Sequence, residues 1–153
     1  MLVYVCCATG NTSGMFCKQI QKASCREQIY VEEIHELGNH LEDALRENDL
    51  VLAYGSAEII DEKFIRRYHF EYHMQAIWLA PQMRYLKDSM KKKLNCFDIP
   101  IHIIDMKTFG KMDGKQALQD ILNAMIRYLS ICREKELLSI RLISAQQGAE
   151  IKS

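Results

Sequence analysis

Residues 3–16 read VYVCCATGNTSGMF, and two adjacent cysteines stand where a valine-rich run gives way to Ala, Thr, Gly, Asn, Thr and Ser. Leu2 to Cys6 has the apolar, β-branched character of a strand, and Phe16, Ile20 and Ala23 then recur at helical spacing. The parse is strand, loop, helix, with Thr12 or Ser13 expected as the hydroxyl cap of the helix. A loop of this kind points several backbone amides and the positive end of the helix dipole at one spot, which suits a phosphate dianion. A cysteine at its start is either a small packing residue or a thiolate held by those amides, with its pKa drawn below the free value of about 8.5. Gly10 supplies the freedom for a tight or left-handed turn there.

Working outward from that loop, strands and amphipathic helices alternate. Ile29 to Ile34 reads as a second strand and Leu41 to Glu47 as a helix ending near Asn48. Asp49 to Ala53 is a third strand, which Gly55-Ser56 is expected to turn into a helix with Ile60, Phe64 and Tyr68 on its apolar face. Gln75 to Leu79 follows as a strand that Pro81 stops, and Met83, Leu86, Met90 and Leu94 form the inward stripe of the next helix. Pro100 opens the last strand, Ile101 to Ile104. Asp113 caps a long helix in which Leu118, Ile121, Leu122, Met125, Leu129 and Cys132 recur at three and four residues. Such alternation predicts an α/β fold, a three-layer sandwich around a parallel sheet of four to five strands, whose ligands bind at the carboxyl ends of the strands.

Composition narrows the function classes. At 153 residues, with 48% hydrophobic and 26% charged side chains, the chain is long enough for one continuous core and too apolar for wholesale disorder. Twenty basic and twenty acidic residues cancel, so the general attraction to phosphate backbones expected of a nucleic-acid binder is missing. Six cysteines show neither CxxC nor zinc-finger spacing, and no signal-like segment opens the chain, so reduced thiols in a cytoplasmic protein are expected. His69 and His73 lie four apart and could share a helix face, the spacing of a two-histidine metal site, but no third ligand is evident and a surface pair is the better reading. No metal or organic cofactor is expected.

Counting from Cys7, Gly10 is the third residue on and Ser13 the sixth. Low-molecular-weight tyrosine phosphatases share this loop geometry, but carry arginine at the sixth position to bind phosphate bidentately. No arginine occurs between Cys7 and Ser24. A phosphate cradle without that arginine is better suited to passing a phosphoryl group on than to hydrolysing it. Counting from Cys6 instead gives Thr9 and Thr12, which keeps the hydroxyl and loses the glycine, so Cys7 is placed ahead of Cys6.

The opening loop, taken with AIWLAPQMRYLKDSMKKKL (76–94) and IPIHIIDMKTFGKMDGKQAL (99–118), resembles the IIB components of the phosphoenolpyruvate-dependent sugar phosphotransferase system, lactose/cellobiose (chitobiose) branch. The resemblance implies a fold similar to low-molecular-weight tyrosine phosphatases and flavodoxin-like proteins. It also implies a phosphocysteine relay: a phosphorylated IIA protein donates to the IIB cysteine, which transfers to a sugar held by the IIC membrane permease. Ala8, Thr9, Gly10, Asn11, Thr12 and Ser13 would line the phosphate. Pro81, Gln82 and Tyr85 would shape a docking surface, and Asp105 would stand near the phosphate rim. Equally open is a plainer reading in which Pro81 only ends a strand and Asp105 only caps a turn.

The chain departs from that branch in length, since members run to about a hundred residues with four strands. The excess is placed near Tyr54 to His73, as a fifth βα unit or a helical insertion. Residues 1–136 are expected to form the domain and 137–153 a partly flexible extension, where LLSIRLIS could prolong the helix, pair as an edge strand or engage a partner. Phe109 also stands where the branch commonly has tyrosine.

Overall fold

The structure, a computed structural model, describes residues 1–152; Ser153, the last residue of the expected extension, lies outside the described residues. Met1–Leu118 form one compact unit, and a second begins at Gln119. The strands are β1 (Leu2–Cys7), β2 (Ile29–Glu33), β3 (Leu50–Ser56), β4 (Met74–Leu79) and β5 (Ile101–Ile103), joined in one sheet of order β2-β3-β1-β4-β5. Every pairing is parallel. The helices that flank the sheet are α1 (Asn11–Ala23), α2 (Ile34–Leu37), α3 (Leu41–Glu47), α4 (Glu62–Arg67), α5 (Lys87–Lys93) and α6 (Met106–Gly110). The expected α/β sandwich is thus observed, at the upper end of its strand count.

The central position of β1 follows from its sequence. All six residues of LVYVCC are buried, because a parallel strand covered on both faces needs apolar side chains at successive positions, without alternation. Leu2, Val3, Tyr4 and Val5 have no exposed surface, each contributing about 1.5–3 kcal/mol of burial. Strand β1 pairs with β3 from Leu2↔Val51 to Cys7↔Ser56 and with β4 as far as Cys6↔Leu79. The carboxyl ends of three strands therefore meet beside Cys6 and Cys7.

Several expected boundaries move. Gly55 and Ser56 do not form a turn; they are the last two residues of β3, paired opposite Cys6 and Cys7. A strand can hold glycine here because Tyr4 needs the room: a Cβ on Gly55 would lie 2.7 Å from the Tyr4 hydroxyl, which itself donates to the Ser56 carbonyl at 2.6 Å. After β3 a short 3-10 turn (Ala57–Ile59) leads to α4, capped by Asp61, whose carboxylate accepts from the Phe64 amide at 2.8 Å. Segment 54–73 adds no strand beyond the end of β3; its Phe64, Tyr68 and Phe70 form an aromatic cluster with ring centroids 5.1–5.9 Å apart.

His69 and His73 do not share a helix face. His69 follows α4 with a left-handed φ of 58°, and His73 closes a 3-10 turn over Phe70–Tyr72. Among the described residues no three His, Cys, Asp or Glu side chains gather as metal ligands. The expected helix from Met83 to Leu94 begins instead as a 3-10 segment, Pro81–Leu86, before α5. The last helix, α7 (Gly114–Lys152), starts after Asp113, whose carboxylate accepts from the Gln116 amide at 3.1 Å. It is helical throughout LLSIRLIS and gives no edge strand. No described helix is long and apolar enough to cross a membrane.

Candidate functional site

Cys7 ends β1, Ala8 and Thr9 form the loop, and Gly10 is the N-cap of α1, with φ 89°. Two constraints fix glycine there. Its backbone is in the left-handed region, and an added Cβ would meet Gly55 Cα at 3.0 Å. Gly10 has no side chain to cap the helix, and neither Thr12 nor Ser13 serves as the expected side-chain cap; the Asn11 amide donates instead to Thr9 Oγ1 at 3.4 Å. Ser13 lies within the first turn, fully buried, and its hydroxyl donates to the Gly10 carbonyl at 3.0 Å and lies 3.4 Å from the Gly55 carbonyl.

This turn of chain wraps one sulfur. Cys7 Sγ accepts from the Gly10 amide at 3.1 Å and from the Ser13 amide at 3.4 Å, and it lies 3.4 Å from Ser13 Oγ. Burial alone raises the pKa of the thiol, but hydrogen bonds from the Ser13 hydroxyl and from the Ser13, Gly10 and Thr9 amides together outweigh it, leaving Cys7 below the ordinary thiol value. Ser13 has one hydroxyl proton for several acceptors. With a neutral thiol, the S–H can donate to Ser13 Oγ while Ser13 donates to Gly10; with a thiolate, the hydroxyl can turn to Sγ.

Cys6, one residue earlier, points the other way along the pleat. It has no exposed surface and donates weakly to the Trp78 carbonyl at 3.8 Å. Burial, and secondarily the charge of Cys7, push its pKa well up. Cys17, fully buried on α1, is raised by burial first and then by Cys7 and Cys6. Three neighbouring thiols thus divide into two that hold their protons and one that releases its proton more readily.

In front of Cys7 is an open cavity of about 140 Å³ lined by Cys7, Ala8, Thr9, Thr12, Gln82, Met83 and Phe109. Of the expected phosphate-lining residues, Ala8, Thr9 and Thr12 line it, while Gly10 and Ser13 lie behind as donors and Asn11 opens the helix. Gln82 is brought to the cavity. Pro81 and Tyr85 instead line a neighbouring cleft of about 510 Å³ with Gln82, Arg84, Met106, Phe109 and Gly110. Asp105 lines neither. Its carboxylate caps α6, accepting from the Thr108 amide at 3.0 Å and the Thr108 hydroxyl at 3.2 Å, and those bonds lower its pKa. Met83, Phe109 and the Gly55 carbonyl were not anticipated at the site. Phe109 arrives by packing on Phe16 of α1, their ring centroids 5.0 Å apart.

No family model matches the chain. It is similar to the oligo-beta-mannoside-specific EIIB component of the PTS system from Bacillus subtilis (strain 168), at 35% identity over 51 residues. That match covers 33% of this chain and 50% of the relative, so the chain spans about half the length of the protein it matches.

Proposed function

We propose that this chain is a phosphoryl carrier of a sugar phosphotransferase system, a IIB component with Cys7 as its acceptor. The observation that carries the reading is the Cys7 sulfur held by the Gly10 and Ser13 amides at the start of α1, below the ordinary thiol pKa and facing an open cavity. The likeness to a PTS EIIB component supports it independently. In the first step the Cys7 thiolate attacks the phosphorus of a phosphohistidine on a IIA protein; the S–P bond forms as the N–P bond breaks, and the leaving imidazole takes up a proton equivalent to the one the thiol released. In the second a sugar hydroxyl, presented by a IIC permease, attacks the same phosphorus; the O–P bond forms as the S–P bond breaks, the thiolate returns, and the hydroxyl proton passes to a base of the permease or to solvent. The Gly10 and Ser13 amides aimed at the sulfur stabilise its charge as the attacking thiolate in the first transfer and as the leaving thiolate in the second.

Membership of the lactose/cellobiose branch, the use of Cys7 over Cys6, and docking of the permease at the face bearing Pro81, Gln82 and Tyr85 belong to the same proposal. Such docking would bring a cytoplasmic chain to the membrane. The rival readings are a IIB-like regulatory or binding module without sugar transfer, and a small cysteine phosphatase. Against the phosphatase stands the absence of arginine from Cys7 to Ser24, and among the described residues no arginine lines the Cys7 cavity.

The test is incubation with a IIA protein kept phosphorylated from phosphoenolpyruvate, followed by intact-mass measurement and peptide mapping. The carrier gains one phosphoryl group on Cys7, and Cys7→Ser gains none. Sustained Cys7-dependent turnover of an aryl phosphate, without a stable phosphoprotein, would favour the phosphatase.

A further inference from the structure

From Gln119 the second unit is a single helix, the continuation of α7. Its outer half carries large aliphatic side chains that a lone helix cannot cover: Ile131 is 51% exposed, Leu138 56% and Leu142 65%. Ile131, Lys135, Leu138, Leu142, Ala145 and Ala149 recur at alternating spacings of four and three residues, the a/d spacing of a two-stranded coiled coil; Leu137, Ile140 and Ile143 lie outside this seam and are also exposed. The lysine is the one charged member of that seam.

We propose that α7 pairs antiparallel with the α7 of a second copy of this chain along this seam. Charge decides both the occupant and its direction. Glu134 and Arg141 flank the seam seven residues apart, about 10.5 Å along the axis, too far to meet within one helix. Neither has an opposite charge three or four residues away on its own helix. In a parallel pair each Lys135 would face the partner's Lys135 inside the seam, and Glu134 and Arg141 would gain nothing. In an antiparallel pair with its two-fold axis between Glu136 and Leu137, Leu142 faces the partner's Ile131 and Lys135 faces the partner's Leu138, its ammonium reaching outward past the apolar contact. Glu134 then meets the partner's Arg141, and Arg141 the partner's Glu134. A bilayer surface fits less well, since acids and bases are interspersed around this helix and not segregated to one face.

The test is sedimentation of the full chain, with far-UV circular dichroism to confirm that each variant keeps its fold; the substituted positions are exposed. The wild type sediments as a dimer. Glu134→Arg alone, or Arg141→Glu alone, replaces two attractions by two repulsions and weakens the dimer by about tenfold. The double variant Glu134→Arg/Arg141→Glu restores it to within about threefold of wild type, because the reversed charges pair again. Leu142→Asp, which puts a carboxylate into the seam twice, weakens the dimer by about a hundredfold or more. A wild type that stays monomeric up to about 100 μM, which leaves less than about 5.5 kcal/mol for the association, would overturn the proposal. So would a dimer indifferent to the single reversals, or one that the double reversal does not rescue.

Discussion

The inner run of β1 and its mouth differ by one residue and present opposite chemistry. Cys6 is enclosed between β3 and β4, where burial keeps its proton on and leaves it a small apolar filler. Cys7, with only 6% of its surface exposed, is nearly as enclosed, yet the chain that encloses it does so with donors: two amides and a hydroxyl within 3.4 Å. Burial by itself therefore does not make a thiol inert. What encloses it decides, and the carboxyl end of a parallel strand feeding a helix encloses a side chain with unpaired N–H groups.

The largest effect that can break this comparison is exchange of the two roles. Cys7→Ser should abolish phosphoryl acceptance, whereas Cys6→Ser should retain it at reduced stability, by about 1–3 kcal/mol for an imperfectly paired buried hydroxyl. Transfer surviving Cys7→Ser and lost with Cys6→Ser would reverse the assignment. Next is Gly10→Ala. A left-handed alanine and a Cβ 3.0 Å from Gly55 Cα should together lower the unfolding free energy by about 2–3 kcal/mol and blunt the thiol, read by urea denaturation and by alkylation rate.

Ser13→Ala sharpens the contrast more gently. It removes a hydrogen bond to a charged acceptor worth about 1.5–3 kcal/mol, so the alkylation midpoint of Cys7 should move to higher pH while Cys6 stays silent. Stability should also respond to pH with opposite signs at the two places. Cys6 and Cys17, raised when folded, stabilise below the unfolded thiol value of about 8.5 and lose that contribution as pH rises beyond it. Cys7, lowered when folded, stabilises above that value and loses its contribution as pH falls through its folded pKa. With two raised thiols against one lowered, urea midpoints should fall from pH 8 to pH 10. The smallest effect is Asp105→Ala. It should cost a helix cap that is present at neutral pH and lost in acid as pH falls through the lowered pKa of Asp105, with no change in Cys7 reactivity.

The strand, loop and helix around Cys7 were legible because three local rules agreed: an apolar run, a glycine where the turn needed one, and helical periodicity afterwards. Pro81 and Pro100 marked strand boundaries for equally local reasons. Gly55 misled because glycine usually signals a turn, and only the Tyr4 ring across the sheet explains a glycine inside β3. Short elements such as α6 carry too few residues to show a period, so Asp105 could be read either as a cap or as a rim residue, and it is the cap. Met83 and Phe109 reach the cavity through packing, which spacing along the chain does not encode. LLSIRLIS has aliphatic residues on opposite helix faces, so its periodicity left its state open.

The central claim is that main-chain donors hold the Cys7 sulfur and ease the loss of its proton, beside a twin that burial keeps protonated. Alkylation of the native chain with iodoacetamide across pH 5 to 10, read by peptide mass spectrometry, tests it most directly. Cys7 should react with a midpoint below the free-thiol value of about 8.5, should be protected by inorganic phosphate, and should leave Cys6 and Cys17 unmodified until the protein unfolds. Reaction of Cys7 only above that value, or modification of Cys6 before Cys7, would contradict it.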